Sequence, residues 1–169
     1  VAAAWATYSV ILLAVLMIVG WWAARARPDR AMAAALLAPV SVVVAYAVNQ
    51  PIAHLFDEAR PFVTHPDANV LITRTTDPSF PSDHAVIAGA ACVGLWLVSR
   101  RLGVLTGAVA LLLALSRVYV GVHYPADVVV GLAEGGAIAA LLWVLMRAPL
   151  TRAVARVRVT TLGSVVLRR

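Results

Sequence analysis

The chain has 169 residues, of which 62% are hydrophobic by type and only 13% charged, about half the charged share of a soluble domain. So much apolar surface exceeds what a soluble domain of this length can bury, and the single cysteine, Cys92, excludes a disulfide scaffold. The net charge of +6 comes entirely from arginine, since no lysine is present, and the arginines punctuate apolar runs in a membrane pattern, not a nucleic-acid-binding one.

Five apolar runs predict an all-α, polytopic membrane bundle of about five transmembrane helices. They cover Trp5 to Ala24, Ala31 to about Val48, Ser82 to Ser99, Leu102 to about Val120, and Pro125 to Met146. Each approaches the roughly 20 residues needed to cross a bilayer, and none alternates with the period of two of a barrel strand. Residue 1 is Val, so a natural start is expected upstream, with room there for one more span. A short interfacial helix carrying His54, Asp57 and Glu58 is expected to lead to Arg60.

Residues 1–148 read as one transmembrane domain with an outer loop at 49–81, and 149–169 as a basic cytoplasmic tail attracted to anionic lipids. If every run crosses, eleven arginines fall on one side with Asp29 as their only acid; the other side holds Arg60, Arg74 and Arg117 with six acids. The positive-inside rule makes the arginine-rich side cytoplasmic and turns the 49–81 loop outward. Phe62 to Phe80 is long for a compact connection and suggests a lid. No obligate protein partner is indicated.

Three polar groups then collect at the outer face: Glu58-Ala59-Arg60-Pro61-Phe62; Pro81-Ser82-Asp83-His84; and Ser116-Arg117 followed by His123 and Asp127. Ser82 or Asp83 is a natural N-cap, and a helix start binds anions. Arg60 and Arg117 are fork-shaped donors suited to phosphate oxygens. Asp127 can accept from one imidazole nitrogen of His123 and free the other. Together two histidines, two arginines and a helix N-terminus describe phosphoryl transfer through a phosphohistidine, one His attacking phosphorus and the other protonating the leaving oxygen. Taken singly, each has a plainer role: Arg60 and Arg74 as interfacial snorkelling residues, Arg117 answering a helix dipole, His123 and Asp127 as a structural pair. A metal held by His84, His123 and Asp127 is the other open reading, though no metal-binding spacing supports it.

These motifs resemble the type-2 phosphatidic acid phosphatase superfamily, whose signature is a Lys, six residues and Arg-Pro; Pro-Ser-Gly-His; and Ser-Arg, five residues, His, three residues, Asp. The third part is complete as Ser116, Arg117, His123 and Asp127; in the second, Asp83 replaces Gly; in the first, Ala53 stands where Lys would be. Ser79 to His84, and Val120-Gly121 leading to His123-Tyr124-Pro125, are similar to the bacitracin-resistance branch, the undecaprenyl-diphosphate phosphatases. The resemblance implies a metal-independent lipid phosphatase needing no cofactor, acting on a polyprenyl diphosphate at the outer face of the cell membrane. His123 would be the nucleophile oriented by Asp127, and His84 the general acid and then base. Arg60, Ser82, Arg117 and amides near Asp83 would hold phosphate. Arg74, Glu58 and Asn49 are accessory candidates: Arg74 to replace the missing Lys, Glu58 to orient Arg60, Asn49 to position the site. Other lipid phosphates, such as phosphatidylglycerol phosphate, phosphatidate or a prenyl-linked sugar phosphate, are alternatives. So is a non-catalytic protein that binds or transports a lipid head group. Glu134, seven residues after Asp127, is expected to make a buried hydrogen bond or helix contact.

Overall fold

A computed structural model describes residues 2–67 and 69–160. The described residues form α1 (Ala2–Ala24), α2 (Asp29–Phe56), the single turn α3 (Pro61–Thr64), α4 (Asp83–Val98), α5 (Arg100–Tyr119) and α6 (Pro125–Arg158), and contain no strand. Four segments are long and apolar enough to cross a membrane: Ala3–Ala24, Asp29–Thr64, Arg100–Tyr119 and Pro125–Arg158. Their outward faces carry Ile11, Ile18, Val43, Leu115 and Leu145, each more than half exposed. A surface of that kind is stable against lipid tails and unstable against water.

The fifth apolar helix, α4, has 16 residues and is thus about 24 Å long, shorter than a full span. It is the centre of the bundle, touching α1, α2, α5 and α6. Small residues make this possible. A Cβ on Gly89 would collide with the Leu132 carbonyl of α6, and one on Gly135 with the Val86 carbonyl of α4. Backbones therefore meet along the α4–α6 seam, as expected where packing rather than hydrophobic contrast drives helix association.

Two boundaries differ from the sequence reading. α2 continues past Val48 and through Pro51 to Phe56, ending where Asp57 adopts a left-handed conformation with φ 45°. Asn49 and Gln50 looked like a helix end because they are polar, but both side chains bond Asp83 of α4 inside the bundle. The short helix falls after Arg60, not before it; His54 belongs to α2, while Asp57 and Glu58 lie in the connection. At the other end α6 runs past Met146 and Pro149 to Arg158. Val154 is buried against the core, and Arg158 Nε donates to Asp29 Oδ1 at 2.6 Å. The first part of the basic tail is thus a docked helix, and residues 161–169 lie outside those described.

The connection between α3 and α4 is packed down in its described part. Phe62 and the partly buried Val70 and Ile72 cluster with Val120, Val122 and Ala6, and the Leu71 N–H donates to the Val120 carbonyl. This brings Thr75 to Ser82 against the tops of α4 and α6.

Candidate active site

The cleft at this end encloses about 140 Å³ and is lined by Arg60, Asp77, Asp83, His84, Arg117 and His123 among others. Three separate sequence segments deliver these groups. The turn after α5 is closed by Gly121 at φ +78°, where Asn69 O crowds the position a Cβ would take. A left-handed turn there suits glycine, and it aims His123 back into the bundle.

His123 is 4% exposed. Its Nδ1 lies 2.8 Å from the Ser79 carbonyl and 3.4 Å from Asp127 Oδ2. A carbonyl only accepts, so Nδ1 carries the proton and Nε2 keeps its lone pair. That lone pair faces the cleft, with Arg60 Nη1 3.4 Å away. Burial holds the imidazole below the ordinary histidine pKa; the Asp127 hydrogen bond opposes this, and the Arg60 and Arg117 charges add to it. The ring is thus neutral near pH 7.

Asp127, fully buried, does more than face the imidazole. Its Oδ2 accepts the Ser79 hydroxyl at 2.5 Å and the Tyr124 N–H at 2.9 Å, while Oδ1 has no partner among the described residues. The carboxylate therefore fixes the Ser79 segment and caps α6 at once. Sequence reading named Asp127 as the group that orients His123; the nearer contact is the Ser79 carbonyl, for which no role was expected.

Arg60 is 5% exposed and, besides its 3.4 Å contact with His123 Nε2, is spread over four oxygen acceptors. Nε donates to the Asp77 carbonyl at 3.0 Å, Nη2 to Asp77 Oδ2 at 2.7 Å and to the Pro78 carbonyl at 3.4 Å, and Nη1 to the Val122 carbonyl at 2.9 Å. Burial raises the Asp77 carboxyl, but a Thr75 hydrogen bond and the Arg60 guanidinium outweigh it, and the net pKa is below the usual value. Asp77, not Glu58, is therefore the counter-ion of Arg60. Glu58 is exposed, and its carbonyl instead accepts the Ser79 N–H at 2.8 Å.

On α4, Ser82 occupies the N-cap position with its hydroxyl buried and unpartnered. Asp83 Oδ1 accepts from Asn49 Nδ2 at 2.6 Å and Gln50 Nε2 at 2.9 Å. Asn49 also donates to the Pro81 carbonyl at 3.3 Å, so it pins the start of α4 and does not line the cleft. His84 lines the cleft one residue on. Arg117 on α5 donates from Nη1 to the Ala6 carbonyl of α1 at 3.2 Å, leaving Nε buried without a partner. Ser116 turns its hydroxyl back to the Leu113 carbonyl. Arg74 lies outside the cleft, with its guanidinium 5.4 Å over the Phe62 ring, and lines a neighbouring groove with Glu58. The accessory candidates Arg74 and Glu58 are thus displaced from the expected positions because Phe62 and Ser79 engage them. Glu134 Oε1 is buried with no hydrogen-bond partner among the described residues. Among those residues no cluster of three or more His, Cys, Asp or Glu is arranged to hold a metal.

Arg60, His84, Arg117 and His123 line one small cleft, and the unpartnered Ser82 hydroxyl lies at the adjoining start of α4. That is a set of donors around a nucleophile, the inventory for a tetrahedral oxyanion. Comparison with known proteins agrees: a profile described as the PAP2 superfamily matches residues 34–150. The chain belongs to the PAP2 superfamily. It is 33% identical over 144 residues to the Bacitracin transport permease protein BcrC of Bacillus licheniformis, covering 85% of this chain and 68% of that protein. It is 31% identical over 121 residues to the Undecaprenyl-diphosphatase BcrC of Bacillus subtilis (strain 168), covering 72% of this chain and 61% of the relative. Among solved structures it resembles the first transmembrane PAP2 type phosphatidylglycerolphosphate phosphatase from Bacillus subtilis. The TM-score is 0.62 at 25% identity, covering 80% of this chain and 68% of that one. The match thus spans about two thirds of each relative's length. Within a PAP2 chain, the three motif segments are the ones that meet here.

Proposed function

We propose that this PAP2 protein is a membrane phosphatase that removes the terminal phosphate of a polyprenyl diphosphate, with its site on the side opposite the arginine-rich end. The observation that carries this reading is the hydrogen bond from His123 Nδ1 to the Ser79 carbonyl. It leaves a neutral Nε2 lone pair at the mouth of an arginine-lined cleft.

His123 Nε2 attacks the terminal phosphorus, forming an N–P bond as the P–O bond to the lipid monophosphate breaks. His84, protonated at that moment, gives its proton to the departing oxygen. Water then attacks the phosphohistidine with His84 taking its proton, and the N–P bond breaks to release inorganic phosphate. Arg60 and Arg117 stabilise charge on the transferring oxygens, assisted by the Ser82 hydroxyl and the amides at the start of α4. No metal is assigned a role, and turnover is expected to persist in excess chelator.

The name of the Bacillus subtilis relative supports the diphosphate substrate. The structural neighbour is a phosphatidylglycerolphosphate phosphatase, which makes that lipid the second substrate to test. Phosphate release from undecaprenyl diphosphate, phosphatidylglycerol phosphate and phosphatidate by the purified chain separates them. Preference for the diphosphate is expected, and preference for either glycerolipid would overturn the substrate assignment. Undiminished release by His123→Ala would overturn the mechanism. Binding of these lipids without release would favour a carrier.

A further inference from the structure

The end of the bundle remote from the cleft carries a second groove, of about 380 Å³, lined by Arg30, Arg147, Ala148, Thr151 and Arg152. Arg30 is the second residue of α2, and its guanidinium lies 5.6 Å over the ring of the buried Trp143. Arg147 and Thr151 are four apart on α6 and so share one face, with Ala148 leaving room between the long side chains. Three permanently charged forks and a hydroxyl therefore surround one space.

Among the described residues nothing neutralises them. Asp29, the only acid at this end, is held by Arg158 at 2.6 Å. Arg147 and Arg152 have no ion-pair or hydrogen-bond partner among the described residues. Like charges gathered without a counter-ion repel, and the arrangement is relieved when an anion sits among them.

The position favours a particular anion. Arg147 follows Pro125 by 22 residues of continuous helix, about 33 Å along α6, and the apolar thickness of a bilayer is about 30 Å. The groove therefore lies at head-group depth on the face opposite the cleft. Trp21 and Trp22 lie towards the same end, as an interfacial aromatic belt requires.

We propose that this groove is a second phosphate site, one that binds the phosphodiester of an anionic phospholipid in the leaflet remote from the catalytic cleft. Arg147 and Arg152 supply forked donors to the phosphate oxygens and Thr151 a hydroxyl. Arg30, braced on Trp143, closes the groove from α2. The lipid bridges α2 and α6, and so stabilises the folded bundle by mass action.

The full chain in phosphatidylcholine nanodiscs, with increasing phosphatidylglycerol, tests this through the midpoint of thermal unfolding. A saturable rise is expected with phosphatidylglycerol. In Arg147→Gln/Arg152→Gln the half-saturating fraction should rise by about fivefold per arginine removed. Arg156→Gln, outside the groove, should shift the half-saturating fraction by less than either groove arginine does. An equal response from the double variant and the parent would overturn the site. If the double variant does not fold, Arg30→Gln is read the same way, and an unshifted titration there overturns it too. Inorganic phosphate is the competing source of the same chemistry. A saturable rise of equal size with inorganic phosphate in phosphatidylcholine discs, lost in Arg147→Gln/Arg152→Gln, would overturn the lipid assignment; a rise kept in that variant belongs to the cleft and leaves the lipid assignment standing. None of these readouts needs turnover, so a failure here is distinct from a failure of the phosphatase reading.

Discussion

The Ser79 carbonyl lies closer to His123 Nδ1 than the Asp127 carboxylate does, at 2.8 Å against 3.4 Å. Both groups accept from Nδ1 and favour the same tautomer, with the backbone carbonyl at the shorter distance. In a Ser-His-Asp triad, where the acid alone holds the imidazole, its amide variant loses about 10⁴ in kcat through the wrong tautomer. Here Asp127→Asn should cost less, about 10²-fold, because the carbonyl still accepts from Nδ1. The loss comes instead from loosening the Ser79 hydroxyl and the Tyr124 N–H. Initial rates of phosphate release check this; a loss as large as that of His123→Ala would assign the orienting role to Asp127 after all.

The pH profile should carry the mark of His123 burial. Attack requires neutral Nε2, and the folded environment lowers the imidazole pKa below its ordinary 6.5. The neutral form therefore persists to more acid pH, and the acid limb of kcat/KM should fall below about 6.5. Replacing Arg60 with Gln removes a charge that depresses this pKa, so the limb should move towards alkaline pH while the rate falls. A limb that stays in place in Arg60→Gln would show that Arg60 does not act on His123 electrostatically.

Arg60 is held by one carboxylate and three carbonyls, a pattern that a point charge cannot reproduce. Arg60→Lys should lose at least about 10²-fold in kcat/KM. Asp77→Asn keeps an acceptor for Nη2 and should lose about tenfold or less, since the Asp77 side chain is half exposed and its charge is screened. Equal losses in the two variants would mean that the charge pair, rather than the fork geometry, governs the site.

The α4–α6 seam should be the least tolerant part of the core. Gly135→Ala places a methyl group on the Val86 carbonyl, and overpacking of this kind typically costs about 1–3 kcal/mol. Gly107→Ala meets only Cys92 Sγ at 3.4 Å and gains helix propensity of up to about 1 kcal/mol. Thermal unfolding in one detergent should place the first variant below the parent and the second at or above it. The reverse order would contradict the packing described.

Much of this was legible in the sequence because the membrane makes polarity scarce. The five apolar runs predicted five helices, and Arg60, Ser82, His84, Arg117, His123 and Asp127 stood out as polar groups that converge on one face. What periodicity could not find were partners chosen by the tertiary fold. Asp77 is one of several acids between α2 and α4, and nothing local marks it as the counter-ion of Arg60. Ser79 acts on His123 through its backbone, which side-chain identity does not encode. Asn49 and Gln50 broke the apolar pattern and so suggested a helix end, yet Asp83 satisfies them within the bundle.

The shortness of α4 has a consequence for selectivity by depth. In a bilayer about 30 Å thick, a helix of 16 residues whose far end stays at one interface stops about 6 Å short of the other. The donors at its first turn then lie beneath the water boundary, reached most readily by a phosphate whose own tail draws it into the hydrocarbon. Water-soluble phosphate esters, however well they match the arginines, must leave their hydration behind to reach the same place. On the phosphatase reading, turnover of a lipid phosphate should therefore respond to membrane thickness, varied through acyl-chain length, more than turnover of a water-soluble ester does.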